Sequence, residues 1–108
     1  MILARVTGSV VATQKLATLT GRKLLVIEPM RVDEKTQSEL RSTGRTLVAV
    51  DALGAGQGEL VLVVQGSSAR LTPETQDVPV DAVVIGIVDQ VGFEGRAIYS
   101  ARGAAVRR

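Results

Sequence analysis

From Ile2 to Ala12 the even positions read Ile, Ala, Val, Gly, Val, Ala, while Arg5, Thr7 and Ser9 between them are polar. That period of two predicts a β-strand with one buried face. Gly8 in its middle predicts a bulge or bend of the kind found at barrel corners. Lys23 to Glu28 (KLLVIE) is a short apolar run closed by Pro29. It predicts a strand covered on both faces, by its own chain or by a neighbouring subunit. Arg31 to Arg45 carries Asp33, Glu34, Lys35, Glu39, Arg41 and Gly44 without apolar periodicity, the pattern of a long surface loop. Thr46–Asp51 and Glu59–Gln65 read as two more strands, joined by the glycine-rich stretch Ala52 to Gly58. Thr72-Pro73-Glu74 has the order of a helix start, and Pro79 holds any helix there to about two turns. Val83 to Val91 (VVIGIVDQV) is a further β-rich run with Gly86 inside it, and Ala97–Ser100 predicts a last short strand.

Five or six short strands with turn chemistry between them, and almost no amphipathic helix, predict an antiparallel barrel or sandwich. At 108 residues the chain is one domain, with no internal repeat and no linker. Only Phe93 and Tyr99 are aromatic, so the core must come from Val, Leu, Ile and Ala, which suit a pleated sheet.

The chain has neither cysteine nor histidine. That removes disulfides, thiolate metal sites, the commonest general base and the usual Ser-His and Cys-His pairs. Thirteen basic residues nearly balance eleven acidic ones, for a net charge of +2, so the pI of about 9.5 overstates the basicity. The local excess is the tail, where Arg96, Arg102, Arg107 and Arg108 have only Glu94 nearby. Such a tail can meet an acidic partner or stay solvated. Single-strand binding by small barrels combines a basic groove with aromatic platforms. Two aromatics and a charge of +2 argue against nucleic acid. No run approaches the roughly 20 apolar residues of a membrane helix. Arg5 interrupts the apolar N-terminus, which does not read as a signal peptide, so a cytosolic location without membrane contact is expected.

Gly54-Ala55-Gly56-Gln57-Gly58 looks at first like a phosphate cradle. A dinucleotide fingerprint needs G-x-G-x-x-G leading into a helix, and a P-loop needs a following Gly-Lys-Ser/Thr. Here the glycines and Glu59 lead straight into a strand, so a bulged connection with positive φ angles or close backbone approach is expected. Gly66-Ser67-Ser68-Ala69-Arg70 offers hydroxyls beside a cation. Without histidine a nucleophilic serine would need Lys15, Lys23 or Lys35 as its base, and their spacing supports none. The segment reads as a structural turn or an interface contact, with Arg70 able to clamp a carboxylate or a carbonyl. Asp77, Asp81 and Asp89 lack metal-ligand spacing, and Asp81 is expected to cap a turn before the strand from Val83. No catalytic residue, cofactor or metal is expected, and an interaction or structural protein is favoured over an enzyme. The alternative is a small barrel that binds nucleic acid or a ligand.

Several blocks together resemble one family. They are Gly8-Ser9-Val10-Val11-Ala12-Thr13 with Lys15, Gly21 and Lys23-Leu24-Leu25-Val26; Val50 to Glu59; Gly66 to Arg70; Pro79-Val80-Asp81-Ala82; and Gly86-Ile87-Val88-Asp89. In this order and spacing the chain, from about Ile2 to Val91, is similar to the vertex proteins of bacterial microcompartment shells, of carboxysome and ethanolamine-utilisation type. The resemblance implies a Greek-key, OB-like antiparallel barrel with one or two helical turns, occupying residues 1–95 and followed by a strand and basic tail at 96–108. It implies a homopentamer that caps the vertices of an icosahedral shell in the cytoplasm, beside hexameric shell proteins and around a narrow axial pore. It implies neither enzyme activity nor cofactor. By position, Gly54, Ala55, Gly56, Gln57, Gly58, Glu59, Gly66, Ser67, Ser68, Ala69 and Arg70 are the candidate interface or pore residues. Arg70 is expected to pair near an interface, and Glu59 to fix the glycine loop.

Overall fold

A computed structural model describes residues 1–101 apart from 14, 20, 34, 36–38 and 77–79. Its strands are β1 (Ile2–Val10), β2 (Lys23–Val32), β3 (Leu40–Ser42), β4 (Leu47–Asp51), β5 (Leu60–Gln65), β6 (Ala82–Ile87), β7 (Gln90–Phe93) and β8 (Arg96–Ser100). Short 3-10 turns occupy Ala17–Leu19 and Gly66–Arg70.

β1 is hydrogen-bonded along both edges, to β2 over most of its length and to β5 over Ile2–Arg5. β5 pairs with β6, β6 with β4, and β4 with β2, so five strands return to β1 and close a barrel. The expected antiparallel barrel is present, with four of its five seams antiparallel and the β4–β6 seam parallel. The reason is parity: an odd number of strands cannot alternate in direction all the way round a ring. β3 pairs with the far end of β2 outside the ring, and β7 and β8 form a separate hairpin.

The expected irregularity in β1 is present. Val6 faces Ile27 and Gly8 faces Val26, so Thr7 is an extra residue that bends the strand. A second shift lies in β6, where Leu62 faces Gly86 and Val63 faces Val84. Ile85 is the extra residue there, and it is turned partly outward.

Small aliphatic side chains fill the barrel: Ala4, Val6, Leu25, Ile27, Ala49, Ala55, Val61, Val63, Ala82 and Val84. A five-stranded barrel has a narrow interior, and alanine at four of these ten positions fits it. On β2 the inward residues Leu25 and Ile27 are buried, whereas Leu24 and Val26 are half-buried on the outer face. A second, smaller cluster lies outside the barrel wall, where Val50 and Val83 are covered by Ala69. Where Ala69 lies, the β4–β6 seam is thus covered on both faces.

Four elements differ from the sequence pattern. β2 does not stop at Pro29 but continues to Val32. Pro29 sits where the partner on one edge changes from β4 to β3, so no ladder bond is lost there. Its carbonyl accepts the backbone N–H and the hydroxyl of Thr43. Thr43 directly follows β3, a strand within the stretch expected to be loop. The run Val83–Val91 breaks at Val88, whose N–H donates to Leu60 O (2.8 Å), and the chain then leaves the barrel for the hairpin. The hairpin straddles residue 95 and is tied back by buried Ile98 and by the Arg5 guanidinium, 5.9 Å from the Tyr99 ring centroid. Thr72 to Gln76 form a turn instead of a helix; Pro79, expected to end that helix, and Asp77 lie outside the described residues.

The turn is fixed by Thr75, which is fully buried. Its hydroxyl donates to Ala69 O (2.5 Å) and lies 2.6 Å from the Thr72 hydroxyl. Thr75→Val keeps the shape and orphans the Ala69 carbonyl, so it should lower stability by about 1–3 kcal/mol. Urea denaturation followed by circular dichroism measures this, and Thr75→Ser should lose less. An unchanged midpoint for Thr75→Val would show that the bond contributes nothing.

Candidate functional site

The glycine loop begins at Asp51, a carboxylate that is only 4% exposed at the end of β4. Burial of a carboxylate is costly unless it is hydrogen-bonded, and here two backbone donors meet it. Leu53 N–H donates to Oδ1 (2.9 Å) and Ala55 N–H to Oδ2 (2.7 Å). This local capture, open to Asp because its acceptors are short-tethered, folds the chain back over the barrel end. Ala55 seals the core at 0% exposure, and its carbonyl accepts Lys23 Nζ (3.0 Å).

Gly54 and Gly58 have φ of +84° and +89°, and a Cβ at either would meet no atom within 4 Å of its own subunit. Glycine is therefore required there by backbone conformation and not by crowding inside the subunit. Gly56 differs. Its N–H donates to Glu59 Oε1 (2.5 Å), and an added Cβ would stand 3.4 Å from that oxygen. Gly58 N–H donates to Val6 O (2.8 Å), and the Gly58 carbonyl accepts Arg5 Nη1 (2.9 Å). Both loop ends are thus tied to β1 and β2. Gln57 is exposed.

The second segment is the 3-10 turn Gly66–Arg70. Gly66 takes φ +67° and donates its N–H to Asp81 O (2.8 Å). Ala69 is fully buried against Val50 and Val83. Ser67 and Ser68 face solvent, and Arg70 Nη1 donates to Val80 O (3.2 Å). The two segments lie at opposite ends of six-residue β5, roughly 20 Å apart at the usual strand rise, so they form two surfaces and not one site. Ala55 and Ala69 serve the subunit's own core; the other nine leave some surface open. Among the described residues, no three acidic side chains converge as metal ligands, and no helix is long and apolar enough to cross a membrane.

Two further features are larger than sequence reasoning found. A groove of about 400 Å³ runs along the outer β4–β6 seam, walled by Leu53, Leu71, Pro73, Glu74 and Ile85. Leu53 is 51% exposed, Leu71 81% and Ile85 36%. In the stretch 31–45, buried Asp33 accepts Arg41 Nε (2.9 Å) and Lys35 N–H (3.0 Å). That hydrogen bond with Asp33, and then its charge, hold the Arg41 guanidinium above its ordinary pKa.

The model of the family described as ethanolamine utilisation protein EutN/carboxysome matches residues 1–89. The chain belongs to this family. Among its EutN/carboxysome relatives, the carboxysome shell vertex protein CcmL of Thermosynechococcus vestitus is 42% identical over 102 residues, 94% of this chain and 97% of that protein. The microcompartment shell vertex protein PduN of Salmonella typhimurium is 47% identical over 89 residues, 82% of this chain and 96% of that one. The structure of Gloeobacter violaceus CcmL superposes with a TM-score of 0.82 at 39% identity, covering 94% and 99% of the two chains. The pentameric microcompartment shell protein GrpN of Rhodospirillum rubrum gives 0.70 at 43% identity, covering 86% and 98%.

For this member of the EutN/carboxysome family, the glycine loop should depend on Asp51. Asp51→Ala orphans two backbone donors and should cost roughly 2–4 kcal/mol, read as a fall in the denaturation midpoint. Gly58→Ala, strained by the positive φ, should cost about 1–2 kcal/mol. Wild-type midpoints for both variants would mean that the loop is not held by these features.

Proposed function

We propose that this chain is a structural shell protein whose five copies form a ring capping the vertices of an icosahedral bacterial microcompartment in the cytoplasm. One observation carries the reading: near-full-length identity of 42–47% to proteins named as shell vertex proteins, with the barrel shared by a pentameric shell protein. The surface supports it physically. A monomer of this size rarely exposes large apolar side chains along one groove, and Leu53, Leu71 and Ile85 do so here. Flat hexameric shell proteins would surround the ring, which supplies the curvature that closes the facets.

The role requires no catalysis and no cofactor. Ser67 and Ser68 face solvent, and the cation close to them in sequence, Arg70, is engaged with Val80 O. The glycine loop and the Gly66–Arg70 turn are contact surfaces of the assembled shell, at the narrow axial opening or at the edge with hexamers. Vertex proteins of carboxysomes and of other microcompartments are equally similar to this chain, so the role follows from shell geometry and not from the enclosed reaction.

Native mass spectrometry of the purified chain tests this. The expected species has five times the 11.4 kDa of one chain. A monomer, dimer or hexamer at micromolar concentration would overturn the reading, and salt-dependent binding to single-stranded nucleic acid would favour a different barrel function.

A further inference from the structure

A closed ring of identical subunits needs two different surfaces on each subunit that fit one another head to tail. The structure carries two apolar surfaces of opposite charge. The first is the β4–β6 groove, lined by Leu53, Leu71 and Ile85, with Glu74 as its one charged wall residue among the described residues. The second is a concavity of about 450 Å³ around the β1–β2 connection, lined by Val10, Val11, Lys15, Arg22 and Lys23 among others and, among the described residues, by no carboxylate. Val11 is 89% exposed and Leu16, beside Lys15, is 63% exposed.

Among the described residues, none of the three cations of the second surface forms an ion pair within the subunit. Lys15 Nζ donates to Ala12 O, Arg22 Nε to Thr18 O (3.3 Å) and Lys23 Nζ to Ala55 O (3.0 Å). Among the described residues the ion pair is Arg41 with Asp33, elsewhere on the chain. Each cation therefore keeps donors for a carboxylate from outside. The position of the two surfaces also fits a ring. In the cyclic order β1-β5-β6-β4-β2, the strand opposite the β4–β6 seam is β1, and the cationic connection leaves from its end.

We propose that the connection bearing Val11, Lys15 and Leu16 on one copy docks in the β4–β6 groove of the next, with Leu16 against Leu71 and Lys15 facing Glu74. The pairing rests on the vertex reading above and names which surfaces make the ring. Burial of the apolar groups supplies the attraction, and the charges fix partner and orientation. It also accounts for the outward bulge at Ile85, which builds one wall of the groove.

The absence of cysteine makes cross-linking a clean test. Leu16→Cys together with Leu71→Cys, oxidised and run on a denaturing gel, should give a ladder of covalent multimers up to five. Either substitution alone should give none, because in a head-to-tail contact a residue does not meet its own copy. A ladder absent from the double variant, or dimers from a single one, would overturn the proposal. A second measurement uses charge. Lys15→Glu and Glu74→Lys should each raise the concentration at which the ring dissociates by about tenfold or more, and the two together should restore it. Both residues are exposed in the subunit, so circular dichroism should show an unchanged fold. A fivefold wild-type mass with indifferent variants would sink this pairing alone; a wild type that is not fivefold would sink the vertex reading with it.

Discussion

β1 gives hydrogen bonds to β2 on one edge and to β5 on the other, and that double pairing is what turns a sheet into a closed wall. Three consequences follow from closing it with five strands. The interior is narrow, so alanine, valine and a few leucine and isoleucine residues fill it and the two aromatics stay outside the core cluster. One seam must be parallel, and it falls between β4 and β6. And a parallel seam needs a crossover, which the glycine loop, β5 and the connection from Gln65 to Ala82 supply together.

The part of that connection around Ala69 is laid across the outside of the β4–β6 seam. Ala69 and Thr75 pin it down, the first by packing on Val50 and Val83, the second by holding the Ala69 carbonyl. The remainder of the seam is left with an apolar groove between Leu53, Leu71 and Ile85. The same closure that stabilises the subunit thus leaves an uncovered surface that a neighbouring copy can bury. At the other end of β5, Asp51 and Glu59 hold the glycine loop by its backbone N–H groups.

Local features of this design were legible in the amino-acid order. Alternation along Ile2–Ala12 marks β1, and Gly8 marks its bulge, because both depend on neighbours in sequence. The Glu59–Gly56 bond spans three residues, and the positive φ of Gly54 and Gly58 follows from strand leading into strand. Features that depend on distant partners were not legible. Pro29 ended a strand on paper because its missing N–H counts against pairing, whereas the change of partner from β4 to β3 removes the need for that bond. Nothing near Ala55 announces Lys23, 32 residues away. The groove joins residues from 50 to 85, and the Val83–Val91 run hides the point where the chain leaves the barrel.

The central claim is that a closed aliphatic barrel serves here as a vertex piece, so its most direct test is where it sits in an assembled shell. Electron cryomicroscopy of shells formed with hexameric shell proteins, in the presence and absence of this chain, measures that. The account predicts closed polyhedra with fivefold density at the vertices when the chain is present, and open or elongated assemblies when it is omitted. Shells that close equally well without it, or density for the chain within the facets, would contradict the account.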